Sequence, residues 1–263
     1  MRLKGKRALI TGAGRGIGLE TARLFAAEGA SLALADLDAS SVQTSAAEIA
    51  GQGGSAVAIQ VDVADPESVE AMVAKAEDAL GGLDTLFNNA GILLPEDHGP
   101  DDTPLAVWDK TIAVNLTGVF LCCRFGVPAL LRAGGGAIVN TASMVALVGS
   151  FVPQIAYTAA KGGVVALTRE IAMQYARRNI RANAVCPGPI QTPMIDAFMD
   201  TPEKLKSRSR HLPLGRFGEP AEIAQVVAFL CSDAASLITG VAQPVDGGAT
   251  ACYLTPQVLE EAG

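Results

Sequence analysis

Tyr157 and Lys161 stand four residues apart in Tyr157-Thr158-Ala159-Ala160-Lys161, the spacing that puts two side chains on one face of a helix, one turn apart. A phenol beside a fixed positive charge is a proton carrier. An unperturbed tyrosine titrates near pH 10, so using it near neutrality requires stabilising the phenolate by about 3 units, or roughly 4 kcal/mol. Taken alone, the spacing equally describes a solvated helix face, and a chemical reading needs a second, independent signal.

That signal is Thr11-Gly12-Ala13-Gly14-Arg15-Gly16-Ile17-Gly18. Arg7-Ala8-Leu9-Ile10 reads as a short strand before it, and Ile17, Ala22, Leu24 and Phe25 recur at helical spacing after it. Glycines at 12, 16 and 18 permit a tight turn, close approach of a pyrophosphate to the backbone, and close packing of helix on strand. The helix start then presents free N–H groups and a positive dipole end to phosphates. A second strand, Leu32-Ala33-Leu34-Ala35, ends in Asp36, about twenty residues on, where the dinucleotide fingerprint places an acidic residue for the adenosine ribose. Such a carboxylate repels a 2′-phosphate carrying about −1.5 to −2 charges, which favours NAD over NADP. Arg15 pulls the other way, but Asp38 adds negative charge and no arginine directly follows Asp36. The positive ring of an oxidised nicotinamide would join Lys161 in stabilising a Tyr157 phenolate.

The sequence resembles the short-chain dehydrogenase/reductase family of the single-domain type over essentially its whole length. The resemblance rests on TGxxxGxG at Thr11 to Gly18, Asn88-Asn89-Ala90-Gly91, Asn115, Ser143, Tyr157 with Lys161, and Pro187-Gly188, in that order. It implies Asn115, Ser143, Tyr157 and Lys161 as the catalytic set. Ser143 would hydrogen-bond the substrate oxygen, Tyr157 carry the proton, and Lys161 lower the tyrosine pKa and bind the nicotinamide ribose. Asn115 would sit at a helix distortion that links Lys161 to solvent. For the cofactor the resemblance implies Gly12, Arg15, Gly16, Ile17 and Gly18 at the phosphates, Asp36 at the ribose, and Asp62-Val63 at the adenine. Asn89, Ala90, Gly91, Pro187, Gly188, Ile190 and Thr192 complete it, with Tyr157 and Lys161 at the nicotinamide end. Arg15 is of a type often seen in NADP-using relatives, and the segment from Pro189 to Pro213, where the family varies most, matches no subfamily.

The supporting scaffold is legible as alternating strand-like and helix-like runs without a linker. Strands are expected near 7–11, 31–36, 56–61, 83–88, 136–142, 180–186 and 242–245, with helices near 17–29, 39–52, 66–80, 104–133, 155–178 and 219–232. This alternation predicts one α/β domain over 1–263, a Rossmann-type doubly wound, seven-stranded parallel sheet with helices on both faces and a variable substrate loop at about 189–213. Ligands of such sheets gather at the carboxyl ends of the strands. The Gly12 loop, Asp36, Asp62, Asn88, Ser143 and Pro187 are all expected there.

With 49% apolar residues, 263 residues suffice for a core covered on both faces. A net charge of −7 with no basic run makes nucleic acid and anionic membranes poor partners. No apolar run is read as long enough to span a membrane. The basic start is followed by a stretch that Arg15, Glu20 and Arg23 interrupt, a strand and helix rather than a leader. Five cysteines without a C-x-x-C read as reduced core residues of a cytoplasmic protein. His98 and His211, the only histidines, lack partners at ligand spacing, so no metal is expected. Glu96, Asp97, Asp101 and Asp102 read as a solvated loop, and Ser143 lacks a nucleophile-elbow context.

These readings converge on an NAD(H)-dependent oxidoreductase interconverting a secondary alcohol and a ketone. Two alternatives stand beside it: an NADPH-dependent 3-oxoacyl-(acyl-carrier-protein) reductase, and a non-catalytic dinucleotide-binding regulator. Asp36 weighs against the first, the intact catalytic set against the second. The substrate is expected to be a small to medium, uncharged carbonyl or alcohol between Met144, Val145, Val148 and Phe151 on one side and Met194, Ile195, Phe198 and Met199 on the other, with Gln154 at its edge. A homotetramer is expected because helices 104–133 and 155–178 are apolar on more than one face, at Val119, Phe120, Leu121 and Phe125 and at Val164, Val165, Leu167 and Ile171.

Overall fold

A computed structural model describes residues 1–196, 201, 203 and 209–252. Seven strands, β1 (Arg7–Thr11), β2 (Ser31–Asp36), β3 (Ser55–Gln60), β4 (Thr85–Asn88), β5 (Gly136–Thr141), β6 (Ile180–Pro187) and β7 (Ala242–Val245), form one parallel sheet in the order β3-β2-β1-β4-β5-β6-β7. Parallel neighbours need crossovers, and helices supply them: α1 (Gly16–Ala27), α2 (Ala39–Gly51), α3 (Pro66–Leu80), α4 (Leu105–Ile112), α5 (Gly118–Arg132), α6 (Ile155–Tyr175), a short turn α7 (Pro193–Asp196) and α8 (Pro220–Cys231).

Side-chain alternation along the strands sorts the core into two layers. Leu9, Leu86, Ile138 and Ala182 face a cluster completed by α3, α5 and α6. Their neighbours Ala8, Ile10, Phe87 and Val139 face α1, α2 and α8. The chain order along the sheet reverses between β1 and β4, and the crevice at that switch point lies at the carboxyl ends of the strands. This is the expected doubly wound sheet.

Several boundaries differ from expectation for local reasons. The helix expected over 104–133 is broken at Ala113–Thr117, a π-turn between α4 and α5. The last helix turn before β6 tightens at Ala176–Arg178 and ends on Asn179 in the left-handed region, at φ 60°. Together α4, the π-turn and α5 make a 28-residue stretch, Leu105–Arg132, apolar and long enough to cross a membrane by composition, which corrects the expectation that no such run exists. Its Val119, Leu121, Cys122, Val127 and Leu130 lie in the core beneath the sheet.

Most of the apolar residues that suggested helix pairing are covered within the chain. Val119, Leu121, Val164, Val165 and Ile171 are buried, whereas Phe120 is exposed. Four of the cysteines are buried, but Cys252 is exposed, contrary to a core role for all five.

Candidate active site

The glycine turn follows β1 and leads straight into α1. Gly12 and Gly16 take positive φ values of 67° and 56°, which only glycine adopts cheaply. Gly18 answers a different need: a Cβ there would lie 2.0 Å from the Gly12 carbonyl oxygen, so helix and turn touch backbone to backbone. Arg15, the exposed N-cap of α1, offers no side-chain acceptor, which leaves the first N–H donors of the helix without a capping side chain. Asp36 closes β2 beside this turn, its Oδ2 accepting from Gly14 N at 2.9 Å and its Oδ1 from Asp38 N at 3.1 Å. Close backbone, open N–H donors and a fixed carboxylate are the donor and acceptor set that a dinucleotide requires, so the residues present fit one.

The turn after β4 braces this cradle. Thr11 Oγ1 accepts from Asn89 N at 3.0 Å and Ala90 N at 3.2 Å. Asn89 Nδ2 donates to the Thr11 and Gly12 carbonyls, and Asn89 Oδ1 accepts from the Thr141 hydroxyl at 3.3 Å. Asn89, expected at the cofactor, therefore spends its amide on holding the glycine loop. Asn88 faces the other way into a buried chain, donating to Asn140 Oδ1 at 2.8 Å, while Asn140 Nδ2 donates to Thr168 Oγ1 at 2.9 Å on α6.

Asp62 is exposed beyond β3 and accepts from Ala64 N, while Val63 is buried against Gly118 at the start of α5. Past β6, Pro187 is buried and Gly188 passes so near Asp246 that a Cβ would lie 2.7 Å from its Cα. Ile190 is buried, bridged to Gly218. Thr192 reaches back to the glycine turn, its Cγ2 lying 3.6 Å from where a Gly16 Cβ would be. Ile17 packs beside the lower core layer.

The four residues expected to do chemistry meet around the first turns of α6. Ser143, just beyond β5, caps a short 3-10 turn, Met144–Ala146, its Oγ accepting from Val145 N at 3.4 Å, and its side chain lies close enough to the Tyr157 hydroxyl to favour the phenolate. One turn along, Lys161 is 2% exposed, its Nζ donating to the Thr141 carbonyl at 2.7 Å and lying 5.6 Å from the centre of the Tyr157 ring. Asn115 lies on the π-turn with no exposure and pairs both ways with the Ile92 backbone, accepting from its N–H at 2.9 Å and donating to its carbonyl at 2.8 Å. Gly91 sits between: a Cβ there would lie 2.7 Å from Asn115 Oδ1 and 3.5 Å from Lys161 Nζ.

Burial sets the electrostatics. It pushes the Tyr157 phenol up, the Ser143 hydrogen bond only partly offsetting this, and it pulls the Lys161 ammonium down to about 8. In the protein alone desolvation outweighs the neighbouring charge, whereas the expected stabilisation of the phenolate draws on Lys161 together with an oxidised nicotinamide. Beneath them the Cys186 thiol is pushed up to about 11 by burial, against a hydrogen bond from the Ser143 backbone.

Of the residues expected at the substrate, Met144 is half-buried beside Ser143 and Gln154 occupies the N-cap position of α6 without a side-chain cap hydrogen bond. Phe151 is fully exposed, in a segment, 147–153, that is exposed along most of its length. Met194 lies on α7, whereas Phe198 and Met199 lie outside the described residues. Asp97, expected in a solvated loop, is instead 3% exposed and bonded to α6. No local pattern marks it, since its partners are 59 and 60 residues away. Thr141 escaped notice because it serves Lys161 through a backbone carbonyl.

A family profile described as enoyl-(acyl carrier protein) reductase matches residues 12–250. The chain is 45% identical to cyclohexanol dehydrogenase of Acinetobacter sp. (strain SE19), over 95% of this chain and 96% of that protein. It is 41% identical to a 3-oxoacyl-(acyl-carrier-protein) reductase of Thermotoga maritima, over 94% of this chain and 99% of that protein. The crystal structure of levodione reductase superposes with a TM-score of 0.91 at 38% identity, covering 96% of this chain and all of that one. Matched in sequence and fold along nearly its whole length, the chain belongs to the short-chain dehydrogenase/reductase family of NAD(P)-linked oxidoreductases.

Proposed function

We propose that this protein interconverts a secondary alcohol and its ketone with NAD(H), using Tyr157 as proton carrier. The observation that carries the reading is the Ser143–Tyr157 hydroxyl pair with buried Lys161 one turn below, all at the strand edge that also holds the glycine turn. A dinucleotide would lie along Gly12–Gly18 and the start of α1, with Asp36 at its ribose, Asp62 and Val63 near its adenine, and Ala90, Gly91, Pro187, Gly188, Ile190 and Thr192 along its nicotinamide half. When bound, it supplies the hydride acceptor or donor.

The chain's own residues do the rest. In the oxidative direction Ser143 and Tyr157 hold the alcohol oxygen, and Tyr157 takes its proton as general base, a role typically worth ~10²- to 10⁴-fold in rate. Lys161 contributes positive charge beneath the tyrosine, and Asn115, fixed by Ile92, holds the bend through which the proton path leaves. NAD is favoured because Asp36, anchored by two backbone N–H groups, repels a 2′-phosphate.

For substrate, the names of the relatives point to cyclic alcohols and ketones, and apolar Met144 beside Ser143 suits them. The Thermotoga maritima relative keeps a 3-oxoacyl thioester as the second reading, against which Asp36 weighs. A screen of cyclic, aryl and linear secondary alcohols with NAD and NADP, followed by absorbance of the reduced cofactor, tests both. Cyclic alcohols with NAD should lead; turnover confined to acyl thioesters with NADPH would overturn the proposal. We also propose a homotetramer, seeded by exposed Phe120 and checked by light scattering, where a monomeric mass refutes it.

A further inference from the structure

Helix α6 begins without a local cap: Gln154 at its N-cap position gives no side-chain hydrogen bond. Its first N–H groups are satisfied from a distant loop. Asp97 Oδ1 accepts from Ala156 N at 3.0 Å, Asp97 Oδ2 from Tyr157 N at 2.8 Å, and the His98 carbonyl from Ile155 N at 3.1 Å. The loop is itself held, with Asp97 N on the Leu94 carbonyl and His98 N on Thr103 Oγ1. Its other end is Ile92, clamped in both directions by Asn115.

A buried carboxylate is costly unless its lone pairs are satisfied, and here they are satisfied by the helix that carries the tyrosine. A serine or aspartate at position 154 would cap α6 without burying a charge. The remote cap does one thing a local one cannot: it ties the backbone of Tyr157 to the loop that leaves Gly91 and Ile92.

We propose that Asp97 is a positioning residue, fixing the Tyr157 backbone so that its hydroxyl stays in register with Ser143 and with the Asn115 clamp. The proposal rests on the reading of Tyr157 as proton carrier. A misplacement of about 1 Å at a reacting group can cost on the order of 10²-fold in rate.

The test compares Asp97→Ala, Asp97→Asn and Tyr157→Phe, with the double variant Asp97→Ala/Tyr157→Phe. Asp97→Ala should lower kcat for the best alcohol of the screen by roughly 10- to 100-fold, with the Kd for NADH changed less than about threefold. Asp97→Asn keeps one acceptor oxygen and should fall between, and it serves as the informative variant if Asp97→Ala does not fold. In the Tyr157→Phe background Asp97→Ala should add less than about twofold. Independently of turnover, Asp97→Ala should speed amide hydrogen exchange of the segment 155–160 while β1 and β4 keep their protection. Unchanged exchange there, or kcat within twofold of the parent while Tyr157→Phe is impaired, overturns the proposal alone. Equal loss of rate and NADH affinity also overturns it. Near-normal turnover of Tyr157→Phe overturns the proposal and the functional reading together.

Discussion

Gly18→Ala adds one methyl group where the structure has no room for it. Gly18 lies inside α1, its φ is not positive, and alanine is a better helix former, so the backbone itself raises no objection. The obstacle is contact: the new Cβ would stand 2.0 Å from the Gly12 carbonyl oxygen, 2.7 Å from its carbon and 2.9 Å from Asn89 Nδ2. Reaching 3.0 Å, the closest approach that real Cβ atoms make, means opening helix from turn by 1.0 Å. No flexible side-chain end can absorb that, because the two nearest obstructing atoms are backbone. Overpacking of this kind costs about 1–3 kcal/mol, or roughly 2–12 °C in Tm for a chain of this size. The same displacement stretches a phosphate hydrogen bond of about 2.9 Å to about 3.9 Å, where it no longer counts as one. Losing one charge-assisted bond of about 1.5–3 kcal/mol weakens dinucleotide binding roughly 10- to 150-fold. Thermal unfolding and titration with NADH measure the two effects, with Gly16→Ala as the contrast. There the Cβ would stand 3.6 Å from Thr192, an ordinary contact, and only the left-handed φ of 56° is strained. Gly18→Ala that keeps both Tm and Kd would refute the close-approach argument.

Tyr157→Phe should lower kcat by ~10²- to 10⁴-fold while the Kd for NADH stays within a few-fold; near-normal turnover would remove the phenol from the mechanism. Asp36→Ala should narrow a preference for NAD over NADP that is about tenfold or more in the parent, read from kcat/KM with each cofactor, and equal values in the parent would defeat the argument. Lys161 gives a stability prediction with a definite sign. Burial lowers its pKa in the fold from 10.5 to about 8, so between those values the unfolded chain binds a proton that the fold has released. Its contribution to stability therefore rises with pH across that window and is constant below it. The stability of the parent relative to Lys161→Met should climb by roughly 3 kcal/mol between pH 8 and 10.5, as measured by denaturant unfolding without cofactor. A difference independent of pH would show that Lys161 is not desolvated.

What the sequence discloses is what short-range physics encodes. The seven strands were readable within a residue or two because buried parallel strands are short apolar runs, and the glycine turn because its backbone tolerates nothing larger. Ser143, Asn115, Tyr157 and Lys161 come together because their strands and helices end on one edge of the sheet. The misses are long-range or backbone-mediated. Asp97 looks like any acidic loop residue until a helix start from 60 positions later is laid on it. Asn89 is polar and adjacent to a cofactor turn, but whether its amide faces ligand or loop depends on Thr11 and Thr141, which are remote in sequence. The exposure of Phe151 is equally hidden, because hydropathy alone does not say which apolar residues the fold covers. The desolvation of Tyr157 is hidden too, because one neighbouring charge is visible in sequence, whereas the depth of burial is not.

The π-turn at Ala113–Thr117 fixes a phase as well as a bend. One residue of an α-helix advances about 100° around its axis, so an extra residue in a single wider turn rotates everything downstream by about that angle. α5 therefore meets the sheet with a stripe out of phase with the one α4 would have continued. Straightening the turn into regular helix would swing Val119, Cys122, Cys123 and Leu130 away from the core they now fill. The irregularity that carries Asn115 is consequently locked by the packing of a whole helix, as a key is held by its ward, and it does not depend on the preferences of the five residues that form it.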